Sequence, residues 1–250
     1  MTDERVALEA YRVMCPNALT LGDVVCLRVP EAPDSPMLNR VIGLGNAEPA
    51  TEAALDEAVA LMGDVTFYVS LEPHAEPEDL ESWLFTRGFE PGWGWMRFTR
   101  GPQPAPEVAT TLDVRPIGAD HAADFSRIQR VAYGLPDALD PVLRSITELQ
   151  GWTAWIGFDG DEAAAAGAMF VDGEVAYFGL GATLPEHRGK GGQGAILAAR
   201  IEHARALGCT RLLTETGERR DDLPSNSYRN ILRFGFEERD VLRNWLRRRR

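Results

Sequence analysis

Lysine occurs once in 250 residues, at Lys190, and cysteine three times, at Cys15, Cys26 and Cys209. Three widely spaced cysteines give no disulfide framework, which suits a reducing compartment. They form no metal-ligand pair and the four histidines do not cluster with them, so no metal site is expected. Long apolar runs are missing as well. No stretch approaches the roughly 18–20 residues a membrane span needs, and the polar start Met1-Thr2-Asp3-Glu4-Arg5 lacks the apolar core of a signal peptide. The expectation is a cytoplasmic protein that keeps off membranes. An excess of positive charge is absent too. The formal net charge is −12, which argues against non-specific nucleic-acid binding.

What is present is a globular composition. At 44% hydrophobic and 26% charged residues, the chain is neither collagen-like nor disordered, and it is long enough to bury a core. The acidity is uneven. Residues 1–110 hold 18 acids and 7 bases, whereas residues 111–250 hold 20 and 19. An anionic ligand therefore belongs with the second part.

Alternating prolines in Gly101-Pro102-Gln103-Pro104-Ala105-Pro106 can continue neither a helix nor a central strand, and they predict a linker over 101–110. Two domains follow, 1–100 and 111–250. In the second, the pattern predicts a strand over 112–117, helices over 119–133 and 141–150, and strands over 152–158, 164–171 and 175–183. A long helix over 192–207 comes next, then a strand over 211–215, a helix over 227–234 and a strand over 240–246. Ile196, Leu197, Ile201, Ala204 and Leu207 recur at helical spacing, and Gly208 closes that long helix. Arg247 to Arg250 read as a solvated tail.

The first part echoes the second. Leu84-Phe85-Thr86-Arg87-Gly88-Phe89-Glu90 resembles Leu232-Arg233-Phe234-Gly235-Phe236-Glu237, and Ile42-Gly43-Leu44-Gly45 resembles Phe178-Gly179-Leu180-Gly181. Between these landmarks the first part reads as a helix over 51–62, a strand over 65–71 and a helix over 79–87. Val65 and Gly88 are 23 positions apart, Arg211 and Gly235 are 24. Gly45 and Val65, however, are 20 apart where Gly181 and Arg211 are 30 apart. The chain reads as a duplicated unit whose second copy holds ten extra residues in one place.

That place is Leu184-Pro185-Glu186-His187-Arg188-Gly189-Lys190-Gly191-Gly192-Gln193-Gly194-Ala195, after a strand and at the start of the long helix. Four glycines in six positions leave backbone N–H groups unobstructed beside a helix N-terminus. With Arg188 and Lys190 this is a candidate pyrophosphate site. No Gly-Lys-Ser/Thr follows, so it is not a Walker loop. Gly189, Gly191 and Gly194 match Gly-x-Gly-x-x-Gly literally, but a dinucleotide fingerprint belongs to the first strand of a parallel βαβ unit and this loop follows three meandering strands.

Arg188-x-x-Gly191-x-Gln193, with Pro185 before it and the long helix after it, resembles the GNAT superfamily of acyl-CoA-dependent N-acetyltransferases. The superfamily's pattern ends in Gly or Ala where this chain has Gln193. Asn226-Ser227-Tyr228-Arg229-Asn230, ahead of Gly235-Phe236, is similar to the family's second landmark. The resemblance covers 112–250 in element order and 1–100 only through the internal repeat. It implies an α/β fold with a mixed, mostly antiparallel sheet flanked by helices, in two tandem units, the first degenerate. It further implies acetyl-CoA as acyl donor and a primary amine, small-molecule or peptide, as acceptor, attacking directly in a ternary complex of a monomer or homodimer.

By the same resemblance, Ala182, Thr183 and Leu184 would pair with the pantetheine arm, and a bulge there would aim an N–H at the thioester carbonyl. Arg188, Gly189, Lys190, Gly191, Gly192, Gln193, Gly194 and Ala195 would hold the pyrophosphate, and Asn226 the pantetheine amides. Ile231 stands where the family often has a tyrosine acid, so Tyr228, then Ser227, are the candidate hydroxyls for the leaving thiolate. Tyr177 stands where many members carry a glutamate, which leaves Glu215 and Glu174 as carboxylates for the base, with Glu215 better placed. Tyr177 and Tyr228 fit packing roles equally well. A non-catalytic acyl-CoA-binding or regulatory module is the alternative reading.

Overall fold

The computed structural model describes residues 3–220 and 226–249. Helix α1 spans Asp3–Met14, followed by short strands β1 (Leu19–Leu21), β2 (Val24–Leu27) and β3 (Arg40–Ile42). Next come α2 (Glu52–Met62), β4 (Phe67–Leu71), α3 (Leu80–Thr86), β5 (Glu90–Pro91) and β6 (Trp95–Arg100). The rest of the chain gives β7 (Asp113–Ile117), α4 (Ala122–Tyr133), α5 (Asp140–Ser145), β8 (Trp152–Asp159), β9 (Glu162–Asp172) and β10 (Val175–Thr183). It ends with α6 (Gly192–Ala206), β11 (Arg211–Gly217), α7 (Asn226–Arg233) and β12 (Glu237–Arg247).

The chain folds as two compact units whose boundaries differ from 1–100 and 111–250. The larger unit takes α1 together with Phe98–Arg239, and the smaller takes Cys15–Arg97 together with the end of β12 from Asp240 onward. Helix α1 joins the larger unit through charge and packing. Asp3 pairs with Arg211 at 3.1 Å and Arg239 at 3.3 Å, while Val6 and Ala10, one turn apart, are fully buried. The prolines of 101–110 do not form a free linker. Ala105 N–H donates to Glu202 of α6 at 2.6 Å, Arg205 of α6 donates to the Pro102 carbonyl at 2.8 Å, and Thr110 donates to the Lys190 carbonyl at 2.8 Å. The segment is a strap laid on α6 and its loop.

In the larger unit β7, β8, β9 and β10 form an antiparallel meander, and β11 pairs parallel to β10. Strand β9 carries Ala163–Ala166 and Ala168, all buried, although alanine has little strand propensity. Small side chains let α6 lie close to the strand. A Cβ added at Gly167 would stand 2.6 Å from Ile196 of α6. Two irregularities then open this sheet. The parallel pairing ends at Phe178↔Thr214, although β10 runs on to Thr183 and β11 to Gly217. The β9–β10 register also shifts between Gly179 and Ala182, and Leu180 sits there at φ +55°. That is a β-bulge with a leucine in the left-handed region, a strained backbone.

In the smaller unit β1, β2 and β3 are antiparallel, β4 pairs parallel to β3 across α2, and β12 pairs antiparallel to β4. Its core gathers Leu55, Met62, Phe67, Val69, Leu84 and Phe89, with the Phe67 and Phe89 rings edge-on at 5.5 Å. Burying each large apolar side chain contributes about 1.5–3 kcal/mol. The connectivity of the larger unit recurs, and so does its landmark. Parallel pairing here ends at Ile42↔Ser70, one residue before Gly43-Leu44-Gly45, as it ends at Phe178 before Gly179-Leu180-Gly181. The described part of the arginine tail is paired: Arg248 with Glu90 at 3.0 Å and Arg249 with Asp34 at 2.9 Å. Arg250 lies outside the described residues.

Candidate functional site

Helix α6 begins without a side-chain cap. Its N-cap is Gly191 at φ +79°, and the first ladder bond runs from Ala195 N–H to the Gly191 carbonyl at 2.9 Å. The N–H groups of the first turn therefore have no partner within the helix and carry its positive end. They border a cleft of 540 Å³ in the larger unit, whose wall also includes Arg188, Arg233, Thr183, Asn226 and Ser227. Thr183 lines this cleft, and its Oγ1 is buried with no hydrogen bond among the described residues.

The glycines earn their place partly through the protein itself, since a Cβ at Gly191 would lie 2.6 Å from the Ala109 carbonyl oxygen and one at Gly194 3.2 Å from Phe234. They let loop and helix sink onto the strap and onto α7's end, which brings bare backbone to the cleft. Only at Gly189, of the four, is the space beyond open.

Of the residues expected here, Ala182, Thr183, Arg188, Gly189, Gly191, Gly192, Gln193, Gly194, Asn226 and Ser227 all line the cleft. Three do not. Leu184 and Ala195 are turned into the core. Lys190 is held by Asp159, whose carboxyl that ammonium keeps below the usual carboxylate range. Lys190 thus neutralises an acid beside the loop, and Arg233, which the sequence reading missed, is the second cation at the cleft. The bulge lies at Leu180 and Gly181, before the expected Ala182–Leu184.

The side chain that departs from the superfamily's loop pattern has a defined place. Gln193 Nε2 donates to Ser227 Oγ at 3.0 Å and Gln193 Oε1 accepts from Asn230 at 2.6 Å, which ties α6 to α7. Asn226 receives Arg229 at 2.6 Å on its side-chain oxygen.

A smaller pocket of 90 Å³ opens where β10 and β11 part, lined by Gly179 to Gly181, Thr214 to Thr216, Gln193, Ser227 and Arg200. Ser227 borders both cavities. Tyr228 borders neither. Its hydroxyl donates to Glu238 at 2.5 Å, its ring stands edge-on to Phe98 at 5.0 Å, and burial followed by Glu238 pushes its pKa up to about 12. Of the two candidate hydroxyls, Ser227 borders the cleft and Tyr228 does not.

Glu215 lines the smaller pocket and accepts a hydrogen bond from Tyr11 of α1, whose hydroxyl is also 2.8 Å from that of Tyr177. Tyr11 escapes the division at 1–100 because α1 belongs to the larger unit. Glu174 is at the far end of β10, where its carbonyl accepts from Thr210 at 2.9 Å. Among the described residues no group of three His, Cys, Asp or Glu side chains is placed to hold a metal ion.

No protein family matches the chain, and no curated protein does. Solved structures do match over nearly all of it. A GCN5-related N-acetyltransferase from Kribbella flavida is 18% identical, covers 97% of this chain and 93% of its own, and superposes with a TM-score of 0.66. One from Sphaerobacter thermophilus is 15% identical over 96% of this chain and 85% of its own, also at 0.66. A tandem GNAT protein from the clavulanic acid biosynthesis pathway is 13% identical over 98% and 95%, at 0.58. Over nearly its whole length this chain has the fold of these GCN5-related N-acetyltransferase structures.

Proposed function

We propose that the larger unit transfers an acetyl group from acetyl-CoA to a primary amine by direct attack in a ternary complex. The observation that carries the reading is the uncapped N-terminus of α6, opening on a 540 Å³ cleft with the bulged end of β10 beside it. Pyrophosphate suits the first-turn N–H groups with Arg188 and Arg233, since an anion there meets both the helix dipole and two guanidinium groups. The orphaned Thr183 hydroxyl and Asn226 offer hydrogen bonds to the pantetheine amides.

In the reaction the amine nitrogen forms a bond to the thioester carbon, the carbon–sulfur bond breaks, and CoA leaves as thiolate. In this reading Glu215 takes the proton that the amine loses, a role supported by the Tyr11 hydrogen bond that holds its carboxylate. Ser227, oriented by Gln193, passes a proton to the thiolate in this reading. The smaller unit takes no CoA. Its α2 is capped by Thr51, whose hydroxyl accepts from Ala54 N–H at 3.1 Å. Across the corresponding loop the Glu76 backbone bonds both Gly45 and Ala50, at 2.9 and 2.8 Å. The acceptor class is a primary amine, small-molecule or peptide.

The test is thiol release from acetyl-CoA against a library of amines. Release that depends on an amine supports the reading. Tight acetyl-CoA binding with no release for any amine would leave the non-catalytic module.

A further inference from the structure

Three successive carbonyl oxygens of the β10 bulge each take a hydrogen bond from a different helix side chain. Arg200 Nη1 donates to the Gly179 carbonyl at 2.9 Å, Gln129 Nε2 to Leu180 at 2.7 Å, and the Tyr133 hydroxyl to Gly181 at 2.7 Å. Arg200 also donates to Ala168 of β9 at 3.0 Å, so one guanidinium bridges both strands where their register breaks. In a regular antiparallel strand such carbonyls would serve the ladder.

Arg200 is unusual in a second way. It is 4% exposed and lines the pocket below the bulge, and among the described residues it has no carboxylate partner and its Nη2 makes no hydrogen bond. Burial pulls its pKa down to about 10, which leaves it charged at neutral pH. Backbone carbonyls and the Phe178 ring, 5.0 Å from the guanidinium, receive this cation, but a buried charge without a counter-ion is still costly, so simple packing does not account for it.

A trans peptide is planar, so each N–H points opposite to the carbonyl of its own peptide unit. Holding the carbonyls of 179, 180 and 181 onto α4 and α6 therefore turns the N–H groups of Leu180, Gly181 and Ala182 away from those side chains. We propose that Gln129, Tyr133 and Arg200 are positioning residues that fix these N–H groups toward a thioester carbonyl, with the Arg200 charge favouring the oxyanion that forms on attack. The inference rests on the acyl-CoA reading of the cleft. Preorganised donors stabilise such an oxygen because they need no reorientation as charge develops.

Gln129 is the informative position, since it is buried and borders neither cavity. The probe is acetyl-CoA carrying ¹³C at its carbonyl, followed by isotope-edited infrared spectroscopy on the full chain, with CoA affinity measured by calorimetry. The bound thioester stretch should lie below its solution frequency in the wild type. It should return toward the solution value in Gln129→Leu and in Arg200→Lys, with CoA affinity within about twofold in both. With an amine acceptor, Gln129→Leu should lower kcat on the order of 10- to 100-fold at unchanged KM for acetyl-CoA. Tyr133→Phe, which keeps the ring, is the further variant if Arg200→Lys does not fold. A wild type that binds no CoA would overturn both the cleft reading and this inference. A wild type that binds acetyl-CoA with an unshifted stretch, or variants whose stretch matches the wild type, would overturn the positioning role alone.

Discussion

The Gln193 side-chain amide donates to Ser227 Oγ at 3.0 Å, so a residue of the glycine loop orients a hydroxyl on the helix across the cleft. Removing the hydroxyl should cost more than removing its neighbour's. Ser227→Ala is expected to lower turnover roughly 10²-fold with acetyl-CoA affinity nearly unchanged, whereas Tyr228→Phe should retain turnover within about threefold. Gln193→Ala should fall between Ser227→Ala and the wild type. Steady-state assays on the best acceptor decide it, and normal turnover in Ser227→Ala would hand the proton to water.

Tyr228 should instead reveal itself through stability. Its hydroxyl loses its proton near 10 when unfolded and only near 12 when folded, because burial and Glu238 both disfavour the phenolate. The stability linked to that proton is complete below about 10 and is lost as pH rises to about 12. The urea midpoint of the wild type should therefore fall relative to Tyr228→Phe across that window. A difference independent of pH would mean the hydroxyl is not held this way.

Cofactor affinity should be electrostatic at the loop. Arg188→Ala is expected to weaken CoA binding about tenfold and to flatten its salt dependence, with circular dichroism unchanged. Lys190→Met should leave CoA affinity near the wild-type value, because Lys190 belongs to Asp159. A larger loss in Lys190→Met than in Arg188→Ala would reverse these assignments.

Calorimetric titration should give one CoA per chain. In the smaller unit a Cβ at Gly45 would stand 2.4 Å from the Glu76 carbonyl oxygen, so backbone already fills the corresponding loop's approach. Two equivalents bound would contradict that.

The loop was legible because its chemistry is local. Glycines, Arg188 and the start of a periodic helix are contiguous, and the helix over 192–207 emerges as Gly192–Ala206. The bulge was not legible, since Gly179-Leu180-Gly181 acquires its shape from Gln129, Tyr133 and Arg200, which are distant in sequence. The same limit hid Lys190's partner Asp159 and Tyr228's partner Glu238. Strands β1 to β3 were not legible because they are only three or four residues long, and helix α1 because only Val6 and Ala10 of its residues are buried. The proline strap was misread for a physical reason: proline forbids helix and ladder, yet its carbonyls remain good acceptors.

Neither unit is contiguous along the chain, and this sets an order on synthesis. Helix α1 leaves the ribosome ahead of Phe98–Arg239 and must wait for that segment before its buried face is covered. Residues 15–97 are made early, yet their sheet lacks the β12 strand beside β4 until Asp240–Arg247 has emerged. Until then β4 presents an open edge, a template for pairing with other chains. A nascent chain stalled at residue 239 should consequently be more prone to aggregate than one that extends through β12, and a gene cut at the proline strap should yield two fragments that each carry a piece belonging to the other.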